Sequence, residues 1–211
     1  MKRIIFITFI LSNFYLLSIG QIFSISHDKS YILYAGIGNP ITIAAENLSS
    51  KSVIVKTDNG SIEGSNGHYT FYSKLAGVTN IILYKKVNGK IKEIGRNTFK
   101  IKTIPYPTFK IGSGKDRIPI PELQSQQFVR ADMDGYFGYD VHYSIDSFTV
   151  CIISTDTCRY IELDNAGNKI SDEMKAEFSL LKPNDILIFK NIICHGPDGK
   201  IALSPKMVLL Y

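Results

Sequence analysis

The chain has 211 residues, of which 45% are hydrophobic and 20% charged, with a formal net charge of +5. This balance supplies enough apolar side chains for a packed core and excludes a disordered chain. The basic residues are scattered, as at Lys100 and Lys102, so the charge calls for neither nucleic acid nor an anionic membrane as partner.

The first 20 residues have the composition of a secretory signal peptide. A basic start is followed by a mostly apolar stretch from Ile4 to Ile19, which is shorter than the roughly 20 apolar residues of a spanning helix. Ser18 and Gly20 place small residues before a cleavage point at Gln21. We therefore expect residues 1–20 to be removed on export, leaving no stable membrane anchor.

From Tyr31 to Lys102 the sequence alternates between short apolar strands and turn signals. Asn66-Gly67 and Asn88-Gly89 predict hairpins, because both residue types tolerate the positive φ of a tight turn. Two packed sheets would bury both apolar faces, as in an immunoglobulin-like sandwich. The predicted strands are Ile41–Ala44, Ser52–Val55, His68–Tyr72, Asn80–Val87 and Thr98–Lys102, with further turns at Asn39-Pro40 and Asp58-Asn59-Gly60.

A linker is predicted at Ile104-Pro105-Tyr106-Pro107. Each proline lacks a backbone donor and so cannot continue a central strand. We place a domain boundary here, which gives a first domain over residues 28–104 and a second over residues 105–211.

The second domain is predicted to be β-rich with one clear helix. Ser171 suits the N-cap position, and Met174, Phe178 and Leu181 fall on one apolar stripe that ends before Pro183. A shorter helix is expected within residues 121–128. The predicted strands are Tyr139–Ile145, Phe148–Ile153, Arg159–Leu163, Ile186–Ile193 and Met207–Tyr211, with a turn at Pro197-Asp198-Gly199.

The predicted fold class is therefore mainly β. We expect two tandem β-sandwich, immunoglobulin-like domains, the second of which carries one short helix.

Three cysteines, Cys151, Cys158 and Cys194, follow the apolar start. Export permits disulfides, but an odd number leaves at least one thiol unpaired or bonded to another chain, and the pairing is open. Cys194-His195 suggests a thiolate with a neighbouring base. Adjacent side chains on a strand point to opposite faces, however, so we expect no catalytic residue there.

Two further segments are candidates for binding. Asp132-Met133-Asp134-Gly135 matches part of a calcium loop, but the closing glutamate is missing, so we expect no metal and no cofactor. The aromatic segment from Tyr136 to Tyr139 has two interpretations. Its rings are either exposed for stacking on a sugar or a protein, or they enter the core, which is favoured because aromatic side chains bury a large apolar area.

Several short stretches follow one another along the chain in a recognisable order. They are Tyr34–Ile43, Gly67–Thr70, Ile104–Pro107, Lys110–Gly114, Asp146–Val150, Asn165–Lys169, Asp172–Lys175, Leu181–Pro183 and Gly196–Gly199. In this order they resemble the C-terminal half of GldM, a gliding-motility and type IX secretion family of Bacteroidetes. The resemblance covers roughly residues 28–211 and depends on the ordered combination of stretches rather than on any one of them.

The resemblance implies periplasmic β domains that make protein contacts and transmit force from an inner-membrane motor toward an outer-membrane-associated ring. It implies no catalytic residues. The transmembrane helix and helical domain that begin a full GldM have no counterpart in this sequence. We therefore expect this chain not to couple to the motor itself.

Together these observations predict an exported, non-enzymatic protein-interaction module of the bacterial cell envelope, in the periplasm or the outer envelope. Its expected partners are unidentified envelope proteins and not nucleic acid, while homo-oligomerisation is open. The alternative is a small-ligand or carbohydrate-binding β-sandwich module built around the tyrosine-rich loops.

Overall fold

The structure is a computed structural model that describes residues 23–28, 31–45, 53–135 and 137–211. The chain forms two compact units. Unit 1 comprises the described residues up to Tyr31 together with Pro40–Phe71 and Thr79–Phe99, and unit 2 comprises Ile32–Asn39, Tyr72–Val78 and Lys100–Tyr211. The predicted signal peptide lies outside the described residues, and the predicted domain limits stay a prediction.

The described chain is mainly β, which confirms the predicted fold class. The strands of its first half are β1 (Phe23–His27), β2 (Ile32–Tyr34), β3 (Asn39–Ala45), β4 (Val53–Thr57), β5 (Ser61–Ser65), β6 (His68–Tyr72), β7 (Gly77–Val87) and β8 (Lys90–Lys102). The elements of its second half are β9 (Thr108–Lys110), β10 (Arg117–Ile118), α1 (Ile120–Gln124), β11 (Arg130–Asp132), β12 (Ser144–Ser154), β13 (Arg159–Ala166), α2 (Asp172–Phe178), β14 (Ile186–Gly196), β15 (Gly199–Ala202) and β16 (Lys206–Leu210).

Unit 1 contains strands of two sheets. One sheet has the order β1-β3-β6-β5, and in the other β7 lies between β8 and β4. Burial alternates along β3 and β7, where Ile41, Ile43, Ile81 and Leu83 are at most 8% exposed. This period of two is the pattern of strands with one face in a core, and it explains why the predicted strands at these positions are confirmed. Ser52, the first residue of another predicted strand, lies outside the described residues.

The predicted turn at Asn39-Pro40 is wrong, because both residues belong to β3. The chain turns just before them, where Gly36 has a φ of 86°. The Asn39 side chain closes this turn: its Oδ1 accepts from the Tyr34 backbone N at 2.7 Å, and its Nδ2 donates to the Tyr34 backbone O at 2.8 Å. The side chain thus takes the place of a backbone partner.

Unit 2 is built on a six-stranded sheet with the order β10-β16-β14-β12-β13, to which β15 adds beside β14. The strands β12 and β13 pair antiparallel without interruption from Ser147–Ala166 to Ser154–Arg159, as predicted. One face of the sheet packs on α1 and α2. Its core includes Leu123, Phe148, Val150, Ile152, Met174, Phe178, Leu187, Phe189, Val208 and Leu210.

The strand predicted over Tyr139–Ile145 is wrong in its first half, since β12 begins only at Ser144. Gly135 and Gly138 have φ values of 75° and 77°. These turns lie just before the predicted strand, and within it Tyr143 forms an isolated bridge with Ala131 before β12 begins.

The helix α2 confirms the prediction made from its cap. Ser171 Oγ accepts a hydrogen bond from the Met174 backbone N at 3.3 Å, and Met174 and Phe178 are buried. The helix ends at Phe178, before the predicted end at Pro183. Within the described ranges, neither α2 nor α1 is long enough or apolar enough to cross a membrane.

The buried side chain of Asp185 provides a test of how unit 2 is packed. It is 2% exposed, and its Oδ1 and Oδ2 accept from the backbone N atoms of Thr155 at 3.0 Å and Lys182 at 2.8 Å. Asp185→Ala leaves both donors without this acceptor, so we expect the free energy of unfolding to fall by about 2–4 kcal/mol. Asp140→Ala, at a side chain 89% exposed, should change it by less than about 0.5 kcal/mol. Equal losses in urea titrations of the two variants would contradict this role.

Candidate interaction surface

The six-stranded sheet of unit 2 has a second apolar face. Side chains alternate between the faces of a strand, so the neighbours of core residues such as Val150 and Leu187 point away from the helices. We call the surface they form the outer face. It comprises Cys151, Ile153, Ile186, Ile188, Met207 and Leu209.

The register places these six side chains in two rows across β12, β14 and β16. In one row Ile153 lies opposite Ile186, which lies opposite Leu209. In the other row Cys151 lies opposite Ile188, which lies opposite Met207. Opposite residues on neighbouring antiparallel strands are roughly 5 Å apart at Cβ, so each row is continuous.

The first row extends to both sides of the sheet. Tyr160 on β13 lies opposite Ile153, and Arg117 on β10 lies opposite Leu209. The Arg117 guanidinium also lies 5.4 Å from the centre of the Tyr211 ring. Tyr160 and Tyr211 are 59% and 54% exposed and Met207 is 59% exposed, so no described residue covers the face at these points. Tyrosine, methionine and arginine are enriched in protein interfaces.

A polar network fixes Tyr160 at one edge of the outer face. Its hydroxyl donates to Glu162 Oε2 at 2.6 Å, and Lys190 Nζ donates to the same oxygen at 2.9 Å. The bond from Tyr160, followed by that from Lys190, lowers the pKa of Glu162. The Tyr160 hydroxyl also lies 3.4 Å from Cys151 Sγ. The tyrosine ring is therefore held in place beside the apolar rows.

The sequence carried a signal for this face that the sequence analysis missed. Val150–Ile153 and Ile186–Phe189 are uninterrupted apolar runs, whereas a strand with one solvated face normally alternates with polar residues. Such runs predict burial on both faces of the sheet. Here one face is covered by α1 and α2. On the other face Cys151 is buried beside Tyr160, four of the apolar side chains are partly buried, and Met207 is exposed.

Cys194 and His195 are not brought together. Cys194 is fully buried on the core side of β14, whereas the His195 side chain is 56% exposed and its Nδ1 bonds to the Asp146 carboxylate. Burial raises the pKa of the Cys194 thiol, which disfavours the thiolate that a nucleophile requires. All three cysteines are free, with Cys151 buried as well and Cys158 exposed in the turn after β12.

In the segment Asp132–Gly135, which matches part of a calcium loop, both carboxylates form ion pairs with basic side chains. Asp132 pairs with Arg130 at 3.1 Å, and Asp134 pairs with Lys110 at 3.0 Å and accepts from the Thr108 hydroxyl at 2.8 Å. Across the described residues there is no group of three or more His, Cys, Asp or Glu side chains able to hold a metal ion.

The described rings of the aromatic segment are neither fully exposed for stacking nor fully buried in the core. Phe137 and Tyr139 are half-buried, and their rings pack on Tyr34 with centroid distances of 4.8 and 5.6 Å. The Tyr139 hydroxyl donates to Asn39 Oδ1 at 3.2 Å, and burial raises the pKa of Tyr139 to about 12. Tyr136 lies outside the described residues. The described rings therefore form a small packed cluster rather than a flat exposed platform.

These features define a mainly β protein with two compact units and a partly exposed apolar sheet face. Two family models match it: that of the GldM third domain over residues 22–102 and that of the GldM C-terminal domain over residues 88–208. The chain belongs to the GldM family, whose proteins are associated with gliding motility and type IX secretion in the cell envelope.

No curated protein sequence matches this chain. Among solved structures, the crystal structure of invasin, a bacterial integrin-binding protein, matches with 16% sequence identity and a TM-score of 0.33. The match covers 90% of this chain, which spans 40% of the invasin chain.

Thiol reactivity tests the placement of the cysteines. We expect Cys158 to react with a small maleimide at neutral pH much faster than Cys151 and Cys194, which are 4% and 0% exposed. Peptide mapping by mass spectrometry measures each rate, and in denaturant the three rates should converge. Rapid labelling of Cys194 in the folded protein would show that it is not buried as described.

Proposed function

We propose that this chain is an exported, non-enzymatic protein-interaction module of the bacterial cell envelope, and that it docks other envelope proteins through the outer face of unit 2. Membership of the GldM family supports the cellular setting. The observation that carries the proposal is the apolar outer face, because a solvated sheet face normally presents polar side chains.

The dimensions of the outer face suit the centre of an interface. The row from Tyr160 to Arg117 crosses five strands, which at a spacing of roughly 4.8 Å gives a width of about 19 Å. A stable interface buries roughly 800 Å² on each partner, with an apolar centre and a polar rim. Glu162, Lys190 and Arg117 provide such a rim around the two apolar rows.

The interaction is directed at a protein rather than at a small ligand. Tyr160 is held by Glu162 and Tyr211 lies under Arg117, so both rings are ordered before a partner arrives. Ordering in advance lowers the conformational entropy lost on binding. A carbohydrate platform requires exposed flat rings, and the packing of Phe137 and Tyr139 on Tyr34 favours the protein contact instead.

The separation of the candidate nucleophile Cys194 from the candidate base His195 supports a non-enzymatic role. Cys194 lies in the core and His195 on the outer side of the same strand. A nucleophile and its base must lie within hydrogen-bond reach of each other. The Asp132 and Asp134 carboxylates are likewise held in ion pairs with Arg130 and Lys110.

Site-specific photo-cross-linking in native envelopes tests this proposal. A photoreactive amino acid at Tyr211, beside the outer face, should form an adduct with a defined envelope protein. Met207→Lys places a charge among the apolar rows, so we expect it to reduce adduct yield at least tenfold while the unfolding midpoint stays unchanged. A charge that is buried without a partner costs several kcal/mol, which accounts for an effect of this size.

Leu180→Lys is the matched control, because Leu180 is 63% exposed and lies after α2 rather than on the outer face. It should leave the adduct unchanged. An adduct that is insensitive to Met207→Lys, or equally sensitive to Leu180→Lys, would show that the outer face is not the docking surface.

A further inference from the structure

The hairpin between β7 and β8 in unit 1 ends in an exposed tip. Asn88 and Gly89 form its turn, with φ values of 49° and 77°, directly between Val87 at the end of β7 and Lys90 at the start of β8. We call residues 85–92 the hairpin tip. All of these residues are described, and all belong to unit 1.

The hairpin tip concentrates positive charge. Four of its eight residues are lysines, Lys85, Lys86, Lys90 and Lys92, and it contains no acidic residue. The prediction that the basic residues are scattered is wrong for these four, because the Asn-Gly turn folds two separate lysine pairs onto one tip.

The nearest acidic residue does not neutralise the hairpin tip. Glu93 is the next residue along β8, and both of its carboxylate oxygens accept from Arg96, at 2.7 and 2.8 Å. This pairing lowers the pKa of Glu93 and raises that of Arg96. The charge of Glu93 is therefore balanced by Arg96, and the lysines of the tip are left without an acidic partner among the described residues.

The hairpin tip also exposes apolar side chains at its end. Val87 is 42% exposed and Ile91 is 56% exposed, and they flank the turn on its two strands. The exposed apolar area of these two side chains is covered by no described residue. It can be buried only by a surface into which the hairpin is inserted.

We propose that the hairpin tip binds the surface of an anionic phospholipid bilayer, with Val87 and Ile91 entering the boundary between headgroups and acyl chains. Lysines beside an inserted apolar group place their charges at the level of the lipid phosphates while their methylene stems stay in the interface. The exposure of every residue from Lys86 to Lys92 and the lysines on both strands favour a laterally uniform anionic surface over a protein groove.

Vesicle binding with the full chain tests the proposal. Phosphatidylcholine vesicles containing phosphatidylglycerol are compared with pure phosphatidylcholine vesicles, so that only the anion-dependent part of binding is scored. Each lysine near an anionic surface strengthens binding about fivefold, so Lys86→Gln/Lys90→Gln/Lys92→Gln should weaken it by on the order of 100-fold. The matched control, Lys74→Gln/Lys115→Gln/Lys169→Gln, removes the same charge elsewhere and should have a much smaller effect.

The absence of tryptophan provides a second readout. Val87→Trp introduces a single indole at the tip, and its emission should shift to shorter wavelength with anionic vesicles and return at high salt, which screens the lysines. Leu75→Trp, at a side chain 74% exposed in unit 2, should show no such shift.

Two results would overturn the proposal. One is anion-dependent binding that survives the loss of Lys86, Lys90 and Lys92. The other is the absence of any anion-dependent binding, as would be found if the tip binds an acidic protein instead. Lys86→Arg/Lys90→Arg/Lys92→Arg keeps the charge and should bind like the unaltered chain. This variant separates loss of charge from loss of folding.

Discussion

The central strands of unit 2 carry apolar side chains on both of their faces, and the rest of the unit follows from this constraint. One face of β12 and β14 is covered by Met174 and Phe178 of α2. On the other side the same strands present apolar side chains over Cys151–Ile153 and Ile186–Ile188, because Cys151, Ile153, Ile186 and Ile188 alternate with the core residues. Unit 2 therefore does not bury all of its apolar surface by itself. A contact at the outer face would gain the most hydrophobic free energy.

Local signals made much of the fold predictable from sequence. The cap at Ser171, the Asn-Gly turns and the proline-rich segment after Ile104 each act within a few residues, so their effect does not depend on the remainder of the chain. The strands β6, β12 and β14 were predictable because each is a short run rich in strand-forming residues next to turn signals. Strand periodicity failed over Tyr139–His142, where the polarity of the side chains alternates but β12 begins only at Ser144.

The functional surfaces were harder to predict because they are assembled from residues distant in sequence. The outer face needs the register of β12, β14 and β16, and the position of Tyr160 depends on Glu162 and Lys190 from two strands. Asn39 was interpreted as a turn residue, since its bonds to Tyr34 and Tyr139 are not visible in sequence. Composition and motifs indicated which side chains are present but not which ones share a face.

The interleaving of the two units has a consequence for how the chain can be divided. Unit 2 takes Ile32–Asn39 and Tyr72–Val78 from the first half of the sequence, and β2 runs parallel to Lys100–Lys102 at the end of β8. A gene fragment starting after the linker would omit Tyr34 and Asn39, against which Tyr139 rests. During synthesis Asn39 must wait for Tyr139, 100 residues later, before this contact exists, and such long loop closures slow folding. Recombination or truncation at residues 104–107 would therefore separate Ile32–Asn39 from the rest of unit 2.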